Sequence, residues 1–391
     1  LPVSNDLGRS AASLALTFNA QSALGQDLLG QSQLSAAPNT FTPNLFSVAG
    51  PQVIASLKNP AGSPDVSAAL IDPPPYNGNF YTDLTGSDYQ LTTNAGGVTL
   101  SRLTDNKQWT GADLAAINAQ LASEPQGFTL SASAALVAGT SYLIQPTRNA
   151  LQTLQVNPAV AVDPRLITAA GPLAASANAS NLGSAKVSTG NVGPGYPAAA
   201  AALPITLTFQ NGQLRNFPVG AQVSIDGGTP VSIAALTDTV AYTSGATITL
   251  VGSATATPPV GFTFTITGTP NTGDTFVIAR NTGGTADSRN ALALARLQTQ
   301  DTLSGQSATF QEEYARLVNV TGNKAREVAV SSEAQQALLA QSQSTRDSFS
   351  GVNLDEEAAN LIRYQQAYQA SAKALQVGST LFDTILQVVA R

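Results

Sequence analysis

Residues 350–389 read SGVNLDEEAANLIRYQQAYQASAKALQVGSTLFDTILQVV and carry the most regular pattern in this chain. Asn353 followed three positions later by Glu356 is typical of a helix start, and the adjacent Asp355 and Glu356 suit the positive end of the helix dipole. The pattern predicts one helix from Leu354 to Val389, about 54 Å long.

Side chains at alternating steps of four and three residues form a heptad seam along this helix. A helix with one apolar stripe usually faces the core of its own domain, but this stripe is too long for a compact domain and has few apolar neighbours on the preceding helices. We therefore predict that the seam is an assembly surface. Ser379 also occupies a position of the seam. The predicted interface residues are Leu354, Ala358, Leu361, Gln365, Tyr368, Ala372, Leu375, Phe382, Leu386 and Val389.

The composition excludes several kinds of chemistry. The 391 residues contain no Cys and no His, which removes disulfides, thiol nucleophiles, imidazole bases and the usual zinc ligands. The net charge is −6 and the sequence has no basic cluster, so it lacks the positively charged patch that is typical of nucleic-acid-binding proteins. No apolar run reaches the roughly 18 residues that would suggest a membrane span. The chain also lacks Met, so we expect an upstream segment before Leu1.

The remaining polar clusters do not suggest an active site. Adjacent carboxylates at Glu312-Glu313 and at residues 355–357 point in different directions on a helix, so they are interpreted as solvated helix surface. The single Trp109 is expected to cover a β core. We predict no catalytic residues, no cofactor and no metal, and a protein that is not an enzyme.

Helical and β segments alternate along the chain. Residues 4–24 place Leu7, Ala11, Leu14 and Phe18 at helical spacing. An irregular segment is expected over 39–75, followed by strands from Phe80 with one short helix in TGADLAAINAQLA. Ala174 to Ala202 has the composition of a linker or long surface loop, after which strands resume until helices begin at Asp287.

The β regions contain an internal repeat. GFTLSASAALVAGTSYLI (127–144) aligns without a gap to GFTFTITGTPNTGDTFVI (261–278), and YQLTTNAGGVTL loosely matches VSIDGGTPVSI. Two β-hairpins can share such features by chance, but the coincident glycines favour duplication. We predict two related β domains, a hairpin in each repeat, and equivalent buried positions for Tyr142 and Phe276.

These patterns predict an α+β multidomain fold. Its long α-helical coiled-coil core is discontinuous, built from N- and C-terminal segments, with two inserted mainly β domains. Leu7, Leu14 and Phe18 are expected to contact a helical stripe that includes Tyr314, Leu317 and Leu338. The predicted segments are a helical core segment (1–41), the first β domain (42–172), the linker and second β domain (173–287), a second helical core segment (288–349) and the C-terminal coiled-coil helix (350–391).

The C-terminal stretch resembles the signature of bacterial flagellar axial proteins. QQAYQASAK (365–373) is similar to a core that rod and hook proteins share, whereas NLDEEAANL and LFDTIL resemble the flagellar hook-associated protein 1 family more narrowly. Three further segments are also similar to that family: LALTFNAQSALGQDLLG, GTSYLIQPTRNA and GDTFVIARNTGGTADSRNALALARLQ. The linker and much of the second β domain show no resemblance.

The resemblance implies a structural subunit at the junction of the flagellar hook and filament. It implies secretion through the flagellar export apparatus to an extracellular flagellum, and assembly into a helical ring. The implied partners are further copies of the chain, the hook protein, the second hook-associated junction protein and a flagellar export chaperone.

Other classes stay open on the residues alone. Another flagellar axial protein would share the C-terminal core, and an adhesin-like stalk would use the heptads to trimerise. A secreted hydrolase would need an Asp/Glu pair about 5–10 Å apart in a cleft.

Overall fold

A computed structural model describes residues 2–35, 41–73, 75–76, 79–193, 196, 203–251, 261–303, 305–350 and 354–389. The chain divides into two compact units, Leu1–Val318 and Asn319–Arg391. The helices are α1 (Pro2–Ser22), α2 (Leu114–Ser123), α3 (Ala150–Thr153), α4 (Pro158–Val162), α5 (Arg289–Arg296), α6 (Phe310–Ser350) and α7 (Leu354–Val389).

The strands of the first unit lie between α1 and α5 and pair antiparallel. In chain order they are β1 (Phe46–Ser47), β2 (Gln52–Ala55), β3 (Val66–Leu70), β4 (Pro75–Tyr76), β5 (Asn79–Phe80), β6 (Tyr89–Asn94), β7 (Gly97–Arg102), β8 (Gln108–Gly111), β9 (Phe128–Ala132), β10 (Ser141–Gln145), β11 (Gln155–Val156), β12 (Leu173–Ala177), β13 (Lys186–Val187), β14 (Asn191–Val192), β15 (Ile205–Gln210), β16 (Gln213–Arg215), β17 (Gln222–Ile225), β18 (Val231–Ser232), β19 (Thr239–Ala241), β20 (Thr247–Val251), β21 (Phe262–Thr267) and β22 (Thr275–Arg280).

The first β region is built around a five-stranded sheet in the order β2-β10-β6-β7-β8, with β3 and β9 paired separately. Tyr89 is fully buried at its centre and meets Phe128 edge to face at 4.9 Å. Trp109 is buried beside it, as predicted, and donates its indole N–H to Glu124. The short helix α2 forms where expected, because the Asp113 side chain accepts the free N–H of Ala116 at the helix start.

The second β region contains two sheets that enclose one apolar core. One sheet has the order β12-β22-β15-β16-β19; the other runs β13-β21-β20-β17-β18, with β14 also paired to β21. Alternate residues of β15 and β21 are buried, as the period of two in their sequences requires. Phe262 and Phe264 are among the fully buried side chains of this core.

The two five-stranded sheets share one topology. In each, the last strand of the sheet in chain order lies between the sheet's first strand and the strand that begins the following hairpin: β10 lies between β2 and β6, and β22 lies between β12 and β15. Tyr142 of β10 pairs with Ala55 and Leu91. Phe276 of β22 pairs with Ala177 and Leu207. Both aromatic side chains are fully buried, so their predicted equivalence is confirmed and the common topology supports duplication.

The predicted hairpins, however, are wrong in both repeats. β9 pairs with β3 while β10 pairs with β2 and β6, and β21 and β22 likewise lie in different sheets. The glycine turns at Gly139 and Gly273 have positive φ values of 87° and 99° and carry the chain from one sheet to the other. Alternation and turn residues specify strands and a reversal, but they do not specify which strands pair. The looser match also fails, because the hairpin equivalent to β6–β7 is β15–β16.

Two segments expected to be irregular contain strands. The interpretation of Ala174–Ala202 as a linker is wrong for its described part, because β12 is a sheet strand with Leu173 and Ala175 buried, followed by β13 and β14. Ala175, one of the small side chains that gave this segment a linker composition, is buried in the sheet. β1, β2 and β3 likewise lie within the segment 39–75, before the predicted onset at Phe80.

Helix α1 is held in the first unit by small and polar side chains. Ala11, Ala12 and Ala15 are buried, and a Cβ at Gly8 would collide with the carbonyl oxygen of Thr147. This close approach requires glycine at position 8.

Helix α1 meets the later helices through buried hydrogen bonds and an ion pair. Gln21 donates to Asn290 of α5 at 2.8 Å, and Arg9 pairs with Glu313 of α6. The prediction that early and late helical segments meet therefore holds for α5 and the start of α6. The predicted stripe contact is wrong for Tyr314 and Leu338, which are exposed, whereas Leu317 of the same stripe is buried. Phe18 packs edge to face on Phe46.

Asp274 is a buried carboxylate of the second β region with a lowered pKa. Burial raises the pKa of Asp274, but hydrogen bonds from the backbone N–H groups of Asn271, Leu182 and Gly183 more than offset this, so the pKa lies below its usual value. A lowered folded-state pKa contributes stability above the unfolded pKa of about 3.9, and this contribution is lost as the pH falls through the folded value.

We expect Asp274→Asn to lower stability at pH 7 and to flatten its pH dependence below pH 4. Thermal unfolding of both proteins from pH 7 to pH 2.5 measures the difference. Parallel curves for the two proteins would show that Asp274 does not supply this dependence.

Candidate functional site

The ten predicted interface residues lie on α7, which runs from Leu354 to Val389 as predicted. Every described residue of α7 is exposed. The large apolar members of the seam include Leu361 at 61%, Tyr368 at 79% and Leu375 at 76% exposure. Side chains of this size cost free energy when left in water, so the structure shows an apolar surface available to a partner. Their role in an interface, and the coiled coil itself, stay predictions.

The local sequence explains the beginning of α7. Asp355, Glu356 and Glu357 occupy the first turn, where the helix dipole favours negative charge. The predicted capping residue Asn353 lies outside the described residues.

The C-terminal half of α7 has a wider apolar surface than the heptad seam predicts. Leu381, Ile385 and Val388 are exposed and lie off the seam. With the seam residues they cover about 200° of the helix circumference at roughly 100° per residue. An open groove of about 540 Å³, lined by Ala374, Leu375, Gly378, Ser379 and Phe382, lies within this surface. The heptad pattern does not include these residues. A second signal was present in the sequence, because Val377, Leu381 and Ile385 follow one another at a spacing of four residues and therefore lie on one side of the helix.

Helix α6 is anchored at its first turns by carboxylates. Glu312 accepts hydrogen bonds from the backbone N–H and hydroxyl of Thr309, whose hydroxyl accepts the N–H of Glu312 in return. Glu313 is only 2% exposed and pairs with Arg9 and Arg316. The interpretation of both glutamates as solvated surface is therefore wrong for Glu313.

One cleft brings two acidic residues together. Asp6 and Asp83 line an open cleft of about 350 Å³ that is also lined by Arg9 and Arg316. Burial raises the pKa of Asp83, whereas Asp6 lies 3.8 Å from the Arg9 guanidinium. The two arginines supply positive charge to this cleft. Both form ion pairs with Glu313.

Neither metal clusters nor membrane spans occur in the described part of the chain. Among those residues, no three His, Cys, Asp or Glu side chains are placed to share a metal ion. None of the helices in this part of the chain is both long enough and apolar enough to cross a membrane.

Two family models match the chain. Residues 172–280 match the model of the flagellar hook-associated protein 1 D3 domain, and residues 343–388 match that of the flagellar basal body rod FlgEFG protein C-terminal region. The first match covers the second β region, much of which had shown no resemblance from the sequence alone. The second covers most of α7.

Individual relatives agree with these matches. Flagellar hook-associated protein 1 of Salmonella typhimurium is 44% identical over 105 residues, which are 27% of this chain and 19% of the relative. The Bacillus subtilis protein of that name is 31% identical over 106 residues, 27% of this chain and 21% of the relative. The structure of the flagellar hook junction protein FlgK from Burkholderia pseudomallei matches with a TM-score of 0.73 and 33% identity, over 89% of this chain and 60% of that one.

The chain is similar to flagellar hook-associated protein 1. The resemblance inferred from the sequence is thus confirmed, and the structural match extends it over most of the chain. The aligned part nevertheless spans about a fifth of the length of the curated relatives.

Proposed function

We propose that this protein is a structural subunit of the bacterial flagellum at the junction of hook and filament. Its partners are further copies of itself, the hook protein and the second hook-associated junction protein. It reaches the extracellular flagellum through the flagellar export apparatus, with an export chaperone, and it has no enzymatic role. The five predicted segments, from 1–41 to 350–391, remain part of this proposal, except that 173–287 is the second β domain without a separate linker at its start.

The exposed apolar surface of α7 carries the proposal. A helix of this length without packed neighbours is marginally stable in water, because most helical stability in proteins comes from tertiary packing. Burying the seam against helices of other subunits would supply that packing. The match of residues 343–388 to a rod-protein C-terminal model supports an axial assembly of this kind.

Complementation tests the proposed function. The full-length protein is expected to restore filament attachment in a strain that lacks its own hook–filament junction subunit. Cells that assemble hooks and shed filaments into the medium despite normal export of the protein would contradict the proposal.

The broad C-terminal face of α7 makes a further contribution to assembly. A strip of about 200° exceeds what one neighbouring helix covers, so we propose that residues 375–389 contact more than one helix. Ile385→Asp, which lies off the seam, is then expected to weaken assembly by at least 10-fold, since burying an unpaired charge costs more than about 1.4 kcal/mol.

Gln387→Asp on the polar face is the matched control and should assemble normally. Sedimentation of the assembled particles measures both variants. Equal assembly by Ile385→Asp and the control would limit the interface to the heptad seam.

A further inference from the structure

A run of weak helix-forming residues lies in α6 shortly after its anchored start. Residues 318–323 read Val-Asn-Val-Thr-Gly-Asn. None of these is a strong helix former, and Gly322 is the least favourable residue after proline in a helix interior. Glu312, Glu313, Ala315, Arg316 and Leu317 precede the run and Lys324 to Glu327 follow it, and all are stronger helix formers. The run is six consecutive weak helix formers within two turns and contains the only glycine of the described part of α6; the later weak residues, Val328 to Ser332, are interrupted by Ala329.

The same six residues begin where tertiary packing ends. Leu317 is buried, and the compact first unit ends at Val318. From Val318 to Ser348 every residue is exposed. A Cβ added to Gly322 would meet nothing within 4 Å, so close packing does not require glycine there. The run is thus stabilised neither by its intrinsic propensity nor by neighbours.

Side-chain interactions support α6 on either side of the run but not within it. Arg316 donates to Glu313 at 3.1 Å before the run, and Lys324 pairs with Glu327 at 2.9 Å after it. Within the described length of α6, the side chains of Asn319, Thr321 and Asn323 make no hydrogen bond. Asn and Thr side chains also compete for backbone hydrogen bonds, which favours opening of the helix.

We propose that residues 318–323 are a built-in opening point of α6. Their helical hydrogen bonds break more readily than those on either side, so the exposed helix beyond them can bend while residues 310–317 stay docked through Glu313 and Leu317. Opening at one defined place leaves both flanking segments helical. The proposal goes beyond the assembly role and is tested on the chain alone.

Hydrogen exchange of the backbone amides tests this opening point. In the unmodified chain, the amides of 318–323 are expected to exchange faster than those of 312–317 and of 333–340. The triple variant Asn319→Ala, Thr321→Ala and Gly322→Ala removes the weak helix formers at exposed positions. It should slow exchange in the run on the order of 30-fold, and Gly322→Ala alone about 5-fold.

Gly378→Ala in α7 is the matched control, because a Cβ at Gly378 also meets nothing within 4 Å. It should leave exchange at 318–323 unchanged. Uniform exchange along 312–340 in the unmodified chain, or no slowing at 318–323 in the triple variant, would overturn the proposal.

Discussion

Replacing Leu361 and Leu375 together with Asp is expected to abolish assembly while the first unit still unfolds at its normal temperature. Each buried Leu contributes about 1.5–3 kcal/mol, and an Asp in its place adds the cost of a desolvated charge. The combined loss corresponds to assembly weaker by at least about 1000-fold. Both side chains are more than half exposed in the single chain, so the fold itself does not depend on them.

The matched control places the same two charges on the polar face of α7. This control carries Gln366→Asp, between the two altered leucines in the sequence, and Thr380→Asp, shortly after the second of them. Both positions are exposed, and the variant should assemble normally. Particle formation and thermal unfolding are measured for both double variants. Normal assembly of the leucine variant would show that the seam is not the interface, and loss of the first unit's transition would show that α7 supports its fold.

Removing the buried carboxylate of Glu313 is expected to destabilise the first unit by about 3–5 kcal/mol, because Glu313→Ala leaves the Arg9 guanidinium buried without its main partner. The Arg9 side chain is 8% exposed, and its ion pair with Asp6 is longer, at 3.8 Å. Replacing the whole pair, with Arg9→Met and Glu313→Leu, should recover most of the loss, since similar apolar volume then fills the site.

The neighbouring Glu312→Ala serves as the control for this prediction. It removes only a capping interaction of about 1 kcal/mol on the exposed side of the same turn. Denaturant unfolding of the three variants measures the free energies. A Glu313→Ala effect no larger than that of Glu312→Ala would show that the buried pair contributes little to the fold.

The parts of the fold that were predictable are those fixed by local periodicity. The heptad spacing of α7, the helical spacing around Leu14 in α1 and the gapless repeat of Tyr142 with Phe276 each follow from patterns within a short window. Each leads to an element or a buried position that the structure shows.

The parts that were not predictable depend on contacts between distant residues. β9 and β10 resemble a hairpin locally, yet each finds its partner elsewhere in the chain. The small residues of β12 gave no strand signal because sheet partners, not propensity, hold them in place. Glu313 is buried only because Arg9, about 300 residues earlier, reaches it.

The candidate site was predictable only in part. The seam of α7 followed from the sequence, but the wider apolar face from Val377 to Val388 is visible only when all exposed side chains are placed around the helix. The proposed partner helices belong to other subunits, so their positions follow from the assembly and not from the periodicity of this chain.

A density map of the assembled hook–filament junction tests the central claim most directly. The proposed function predicts that Leu361, Leu375 and Phe382 contact helices of neighbouring subunits, with helix axes about 8–10 Å apart. It also predicts that Gln366 and Thr380 face away from those helices. An assembled junction in which the seam faces solvent while the polar face packs against neighbours would contradict the claim.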